Sequence, residues 1–270
     1  MTNIIQSDIY GEWNPWESHV PSFSNKLVSI SVDTLNYSKK ADYKVLYLVE
    51  PYQILPKLAK QVLRRGDEFD IIYTSNDDIL SKFKHANLFL YGSTWIDIHD
   101  LDINKTNLIT FVTSNKNNAP GHKLRQKIYK TLITSNFNLE HKLFCHMSPP
   151  FRSRRNDFFE RASFNIAVEN SRQNNYFTEK IIDCFASRTI PIYYGCPNIG
   201  NWFNKDGIIT FDNVNQLISI LETIDKLKYS SFLKPIEDNY NAARNFYGEN
   251  DVVSRLNNRI EMDYNKWLID

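Results

Sequence analysis

The stretch from Phe164 to Tyr194, FNIAVENSRQNNYFTEKIIDCFASRTIPIYY, restricts the possible folds more than any other part of the chain. Phe164, Ile166 and Val168 alternate with Asn165 and Ala167, the pattern of a strand, and that strand delivers Glu169, Asn170 and Ser171 at its carboxyl end. A polar loop from Ser171 to Asn175 follows. Thr178 stands where a hydroxyl can cap a helix whose first turn holds Glu179 and Lys180, and Ile181, Ile182, Cys184 and Phe185 supply a buried stripe. The helix ends near Ser187 or Arg188, and Thr189 to Tyr194 forms a second β-rich run closed by Gly195. Strand, helix and strand of this length imply a parallel pair with a right-handed crossover, hence an α/β fold.

Open parallel sheets bind ligands at the carboxyl ends of strands and at helix N-termini, where free N–H groups and the helix dipole favour negative charge. Glu169, Asn170, Tyr176, Glu179 and Lys180 all fall at that edge. Lys180 suits a phosphate or diphosphate, whereas Glu169 and Glu179 would repel one and are better matched to sugar hydroxyls. Together they suggest a nucleotide sugar. The competing reading is that Glu179 only complements the helix dipole and Lys180 is solvated.

The chain has 270 residues, suited to two modest α/β domains. Tyr43 to Val49 is a nearly continuous apolar run, the mark of a strand buried on both faces, and it stops at Glu50 and Pro51. Ile54 to Arg65 reads as a helix, Phe69 to Thr74 as a strand, Asp77 to Lys84 as a short helix and Ala86 to Tyr91 as a strand. Before them, Met1 to Ser38 has weak periodicity and an irregular cluster of Trp13, Pro15 and Trp16, open to acceptor stacking or to packing on its own domain. Further on, Leu108 to Thr113 is a strand, Pro120 and Gly121 belong to a loop, and His122 to Thr134 is an amphipathic helix. Asn156 to Arg161 is a helix, Gly207 to Phe211 a short strand and Val214 to Leu227 a helix. Asp251 to Leu268 sets Val252, Leu256, Ile260 and Tyr264 near one helical face.

Charge excludes some classes. Lys plus Arg number 32 against 31 Asp plus Glu, so no global field favours nucleic acid or an anionic membrane, and any phosphate site must be local. Arg152, Arg154 and Arg155 make a basic patch that reads as a solvated turn. Asp97, His99, Asp100 and Asp102 invite a metal, but the spacing has neither a glycine turn nor a second ligand cluster, so no metal is expected. Three cysteines, Cys145, Cys184 and Cys196, read as free thiols. No run approaches the roughly 20 apolar residues of a membrane span, and a basic then apolar leader is absent. The expectation is a cytoplasmic or peripherally membrane-associated chain without signal peptide or transmembrane anchor.

The order E-N-S, short loop, Y-x-T-E-K-I-I-D, then T-I-P-I-Y-Y-G resembles the donor-binding signature of the α1,3/4-fucosyltransferases, glycosyltransferase family ten, from Phe164 to about Phe203. Upstream, Ser114-Asn115, Ala119-Pro120, Leu124-Arg125 and Tyr129 resemble the family motif in which an arginine helps hold the diphosphate, with a slightly longer loop here. The resemblance implies a GT-B architecture of two Rossmann-like, doubly wound domains facing each other across a cleft. It also implies GDP-fucose as donor, inversion at the anomeric carbon and no required cofactor. The donor residues it names are Arg125, Glu169, Asn170, Tyr176, Glu179 and Lys180.

An inverting transfer needs a carboxylate to take the acceptor hydroxyl proton. Glu50 stands at a strand end in the N-terminal half, and V-L-Y-L-V-E-P resembles the family segment ending in the proposed catalytic glutamate, although Val49 and Pro51 replace the usual T-G-E-N context. Glu17, Glu68, Asp77 and Asp78 compete for the role, and Glu50 could instead cap its turn. The expected organisation is an acceptor-side domain over 1–104, a nucleotide-sugar domain over 105–250 and a helix over 251–270 crossing back to the first. The function expected is an inverting α1,3-fucosyltransferase acting on an oligosaccharide or glycan acceptor. A GT-B enzyme with another nucleotide sugar and a non-catalytic sugar-nucleotide or glycan-binding module are the alternatives.

Overall fold

A computed structural model describes residues 4–6, 26–99, 101, 104–106, 108–134, 142–146 and 156–269. The Trp13 to Trp16 cluster, Glu17, Asp100, Asp102 and the Arg152 to Arg155 patch lie outside them. The chain divides into two compact units, Met1–Tyr91 with Glu249–Asp270, and Gly92–Gly248.

The first unit is built on five parallel strands: β1 (Ile4–Gln6), β2 (Val28–Val32), β3 (Tyr43–Tyr47), β4 (Ile71–Thr74) and β5 (Ala86–Leu88), lying side by side in chain order. α1 (Pro56–Arg65) joins β3 to β4 and α2 (Asp77–Lys82) joins β4 to β5. Right-handed crossovers that always step in one direction put their helices on one face. Leu46 and Ile72 accordingly point to that face and pack with Val62, Ile79 and Phe83. The alternate residues Val45, Tyr47 and Tyr73 face the other way, and α7 (Val252–Trp267) from the chain's end covers them with Leu256, Ile260 and Tyr264. Tyr73 hydroxyl donates to Asp263 at 2.7 Å, tying helix to sheet.

β2 lies within a segment expected to be irregular. Its sequence, Val-Ser-Ile-Ser-Val, is wholly buried. Two serines usually mark a solvated face, but here the Ser31 hydroxyl donates to the Asn36 carbonyl at 2.7 Å and Ser29 Oγ accepts the Ser38 N–H at 3.0 Å. Small hydroxyls satisfied by the following loop let the strand be enclosed on both faces.

The second unit has strand order β10-β9-β8-β6-β7, all parallel, with β6 (Leu108–Thr113), β7 (Lys142–His146), β8 (Ala162–Val168), β9 (Ile190–Tyr194) and β10 (Ile209–Thr210). Its helices are α3 (Pro120–Thr134), α4 (Glu179–Ala186), α5 (Val214–Thr223) and α6 (Leu233–Ala243). Phe111, Ile166 and Ile192 meet Ile128 and Leu132 of α3 and Leu217 and Leu221 of α5 in one core. α4 carries Phe185, whose ring lies 4.6 Å from that of Phe203, itself beside Phe177 and Phe246. Several boundaries differ from expectation: among them α3 begins at Pro120, Asn156–Phe158 forms only a 3-10 turn, and α5 stops at Thr223 before a separate 3-10 turn. Proline at a helix start loses no bond, since that N–H has no intrahelical acceptor.

Candidate functional site

Strand order fixes where the second unit can hold a ligand. β6 has β7 on one side and β8 on the other, so successive connections from β6 run toward opposite edges. The loops at the carboxyl ends of β6 and β8 diverge at that switch point and open the crevice in which such sheets bind ligands. α3 begins after β6, and Glu169 and Asn170 follow β8.

These two pieces are seated on each other. Gly121 donates its N–H to the Asn170 carbonyl at 3.0 Å, and a Cβ at Gly121 would lie 1.8 Å from the Glu169 carbonyl oxygen. Only glycine fits there. Arg125, one turn further and 8% exposed, donates through Nη1 to the Val168 carbonyl and through Nη2 to Asn170 Oδ1 at 2.8 Å. Burial lowers the Arg125 pKa and Glu169, Glu179 and Tyr176 oppose the shift. Starting far above neutrality, the group stays cationic. His122, between Gly121 and Arg125, is buried with its Nδ1 unbonded. Burial, then the charges of Arg125, Lys116 and Lys180, hold its pKa down at about 4, so the ring is neutral near pH 7.

The start of α4 is organised by Thr178. Its hydroxyl accepts the Lys180 N–H at 3.4 Å and so caps the helix. The same hydroxyl donates to Glu169 Oε2 at 2.7 Å, and the Thr178 N–H donates to Glu169 Oε1 at 2.9 Å. Glu169 is fully enclosed, with burial raising its pKa and Lys180 and Thr178 pulling against that rise. Lys180 Nζ donates to Glu179 Oε1 at 2.9 Å and to Thr178 Oγ1 at 3.1 Å and lies 3.8 Å from Glu169 Oε2. The lysine retains 20% side-chain exposure, whereas Tyr176 and Glu179 are almost enclosed. Asn175 takes a left-handed backbone (φ 60°) in the connecting loop. Two reciprocal 2.8 Å bonds with the Asn198 amide hold it.

Arg125, Glu169, Asn170, Glu179 and Lys180 are thus joined through one bonded chain or its charges, and Tyr176 acts on Arg125 electrostatically. Glu50 lies in the first unit, just past β3, where its N–H and that of Val49 bond to the Asp33 carboxylate. Glu68 is occupied by Arg65 at 2.7 Å and by the Tyr37 hydroxyl at 3.0 Å, with its pKa pulled to about 2 chiefly by the Arg65 bond. Asp77 and Asp78 open α2 behind its Asn76 cap. Among the described residues no cluster of three or more His, Cys, Asp or Glu could hold a metal ion, Cys184 and Cys196 are buried free thiols, and no helix is long and apolar enough to cross a membrane.

Sequence reasoning missed Gly121, His122 and Asp33 as parts of these sites. The Pro-Gly pair ahead of the helix was a usable signal, because glycine at a helix start has no propensity reason to be there. An aspartate ending Val-Ser-Ile-Ser-Val was another.

A family model described as glycosyltransferase family 10 (fucosyltransferase), C-terminal, matches residues 103–254, more than half of the chain. The alpha-(1,3)-fucosyltransferase FucT of Helicobacter pylori is 33% identical over 153 residues, which cover 55% of this chain and 28% of that protein. GDP-fucose protein O-fucosyltransferase 3 of Xenopus tropicalis is 34% identical over 67 residues, 23% of this chain and 14% of that one. The chain therefore matches less than a third of the length of either relative. Among solved structures, an α1,3-fucosyltransferase with GDP-fucose superposes with a TM-score of 0.50 at 18% identity, covering 84% of this chain and 71% of that one. The UDP-forming trehalose-phosphate synthase of Burkholderia xenovorans gives 0.59 at 11% identity, covering 88% and 73%. At these identities the likeness concerns fold, and the two parallel α/β units are of the GT-B class.

Proposed function

The chain belongs to glycosyltransferase family 10 (fucosyltransferase), and from that membership we propose an inverting transferase that moves fucose from GDP-fucose to a glycan hydroxyl in α1,3 linkage. The observation that carries the proposal is the run of contacts from Arg125 to Asn170 and from the adjoining Glu169 to the α4 cap, set at the switch point and inside the matched residues. It holds two cations, Arg125 and Lys180, where a diphosphate would lie. Arg125 has further N–H donors beyond its two bonds, in a fork matched to phosphate oxygens. Glu169 braces the Thr178 cap from behind, leaving Asn170, Tyr176 and Glu179 to the donor.

In the reaction the acceptor oxygen attacks the anomeric carbon from the face opposite GDP. The bond from that carbon to the β-phosphate oxygen breaks with its electron pair on the diphosphate, whose charge Arg125 and Lys180 offset. The acceptor proton passes to Glu50. Calorimetric titration with GDP-fucose, GDP and a uridine diphosphate tests the donor: saturable binding of the guanosine ligands is expected, and binding of the uridine nucleotide alone would overturn the reading. Glu50→Gln should keep GDP affinity and lose roughly two to four decades of transfer. Near-normal transfer would remove Glu50 from the role.

A further inference from the structure

Asp33 follows β2, the strand beside the one that leads to Glu50, and the reaction above does not use it. Its backbone is left-handed (φ 49°) at a residue with a side chain, while its N–H still reaches the Tyr47 carbonyl at 2.9 Å. The carboxylate turns across the end of β3: Oδ1 accepts the Val49 N–H at 2.9 Å and the Glu50 N–H at 3.3 Å, and Oδ2 also lies 3.3 Å from the Glu50 nitrogen. Only 6% of the residue is exposed. A buried acid thus grips the two residues at which the chain leaves β3, and one of them is itself an acid.

As a turn clamp alone, asparagine would serve as well, since an amide oxygen accepts the same N–H bonds without a second charge beside Glu50. Aspartate adds an ionisation. Asp33 is buried and feels the Glu50 charge, and like charges that interact in this way do not both ionise readily. Burial, then the Glu50 charge, push the Asp33 carboxyl up to about 8 against the pull of the two backbone bonds. Tyr47 also faces it, with Arg255 and Tyr91 acting on that phenol, and burial keeps Tyr47 protonated far above pH 8.

We infer that Asp33 is the positioning residue for Glu50: its buried carboxyl grips the Val49 and Glu50 N–H groups and so fixes the turn that presents the Glu50 side chain. The inference depends on Glu50 being the base proposed above. Below about pH 8 the Asp33 carboxyl is protonated and adds no charge beside Glu50. Above that pH it ionises beside Glu50, and repulsion disturbs the turn.

The test is turnover of GDP-fucose, read as GDP release across pH 6 to 10, for the parent, Asp33→Asn, Asp33→Ala and Glu50→Gln. The parent kcat should fall through an inflection near pH 8, and Asp33→Asn, which keeps the acceptor oxygen but has no proton to lose, should lack it. Asp33→Ala should lower kcat roughly ten- to hundredfold with donor KM unchanged, the signature of a displaced base. An Asp33→Asn profile with the parent inflection, or parental kcat in Asp33→Ala, overturns the inference. Should Asp33→Ala fail to fold, the Asp33→Asn profile decides. Near-normal turnover by Glu50→Gln sinks the base assignment and this inference together, whereas loss in Glu50→Gln beside unaltered Asp33 variants sinks this one only.

Discussion

Replacing Gly121 by alanine strikes the junction of α3 with the end of β8. The added Cβ would stand 1.8 Å from the Glu169 carbonyl oxygen, 2.8 Å from the Glu169 carbonyl carbon and 2.9 Å from that of Asn170. All three are backbone atoms, so no side chain can swing aside. Reaching even 3.0 Å from the oxygen opens the junction by 1.2 Å, the difference of those distances. An opening of that size breaks the 3.0 Å bond from Gly121 to Asn170 and pulls Arg125 from its 2.8 Å bond to the Asn170 side chain. Two lost hydrogen bonds cost about 1 kcal/mol each and forced overpacking about 1–3 kcal/mol, so destabilisation should be roughly 3–5 kcal/mol. Denaturant unfolding measures it. The same displacement misplaces the guanidinium, so GDP affinity measured by calorimetry on folded protein should fall by about a decade or more. A Gly121→Ala protein with parental unfolding midpoint and parental GDP affinity would show that α3 does not seat on β8 in this way.

Lys180→Ala should weaken GDP binding by about one to two decades, the range of a charge-assisted contact, and unchanged affinity would confine the lysine to its bonds with Glu179 and Thr178. Arg125→Lys should bind GDP more weakly than the parent despite equal charge, because lysine cannot reproduce the fork; equal affinity would refute a bidentate role. The His122 ring, followed by NMR, should stay neutral down to about pH 4 in the free protein, and GDP bound among Arg125, Lys116 and Lys180 should raise that value by offsetting their charge; an unmoved titration would separate His122 from the diphosphate. Leu256→Ala in α7 should cost about 2–5 kcal/mol in denaturant unfolding, since Leu256 is fully buried in the core of the first unit; a change below about 0.5 kcal/mol, the size of an ordinary surface substitution, would mean α7 does not cover that sheet.

The strand, cap and helix around Glu169 and Thr178 were legible because their signals are local. Thr178 before Glu179 is a cap within one turn, and the structure places the cap and the helix start at those residues. The alternation leading to Glu169 likewise marks a strand, which the structure ends at Val168. What sequence could not supply was the approach between segments. Gly121 reads as a loop residue until the Glu169 carbonyl is placed against it. Glu169 reads as a ligand-facing acid until Thr178 is seen to engage both of its oxygens. β2 was hidden for another reason: its two serines imitate a solvated face, and only the loop groups that satisfy them reveal a buried strand. Asp33 combines both difficulties, a polar residue whose meaning lies in the neighbouring strand's backbone.

Under the proposed function, Arg125 would tie the folding of the second unit to its binding chemistry. Its two bonds, to Val168 and Asn170, hold α3 against the β8 end, and they also hold the guanidinium at the switch point before any ligand arrives. A cation fixed in advance loses little side-chain entropy on binding, so more of its attraction for a diphosphate appears as affinity. The cost is desolvation, visible in the lowered Arg125 pKa, and Glu169 and Glu179 offset part of it. Those acids cannot lie against the diphosphate without cancelling that attraction. In the proposed site the conflict would be resolved by Thr178, whose N–H and hydroxyl engage both Glu169 oxygens, while the N–H groups of the capped helix end would be kept for the diphosphate. Glu169→Gln should therefore act mainly on the α4 cap. Thermal stability should drop, since the amide group would present a donor where the carboxylate accepts from Thr178, and GDP affinity should follow the loss of order at Lys180. A Glu169→Gln protein with full stability but abolished GDP binding would instead make Glu169 a direct ligand group.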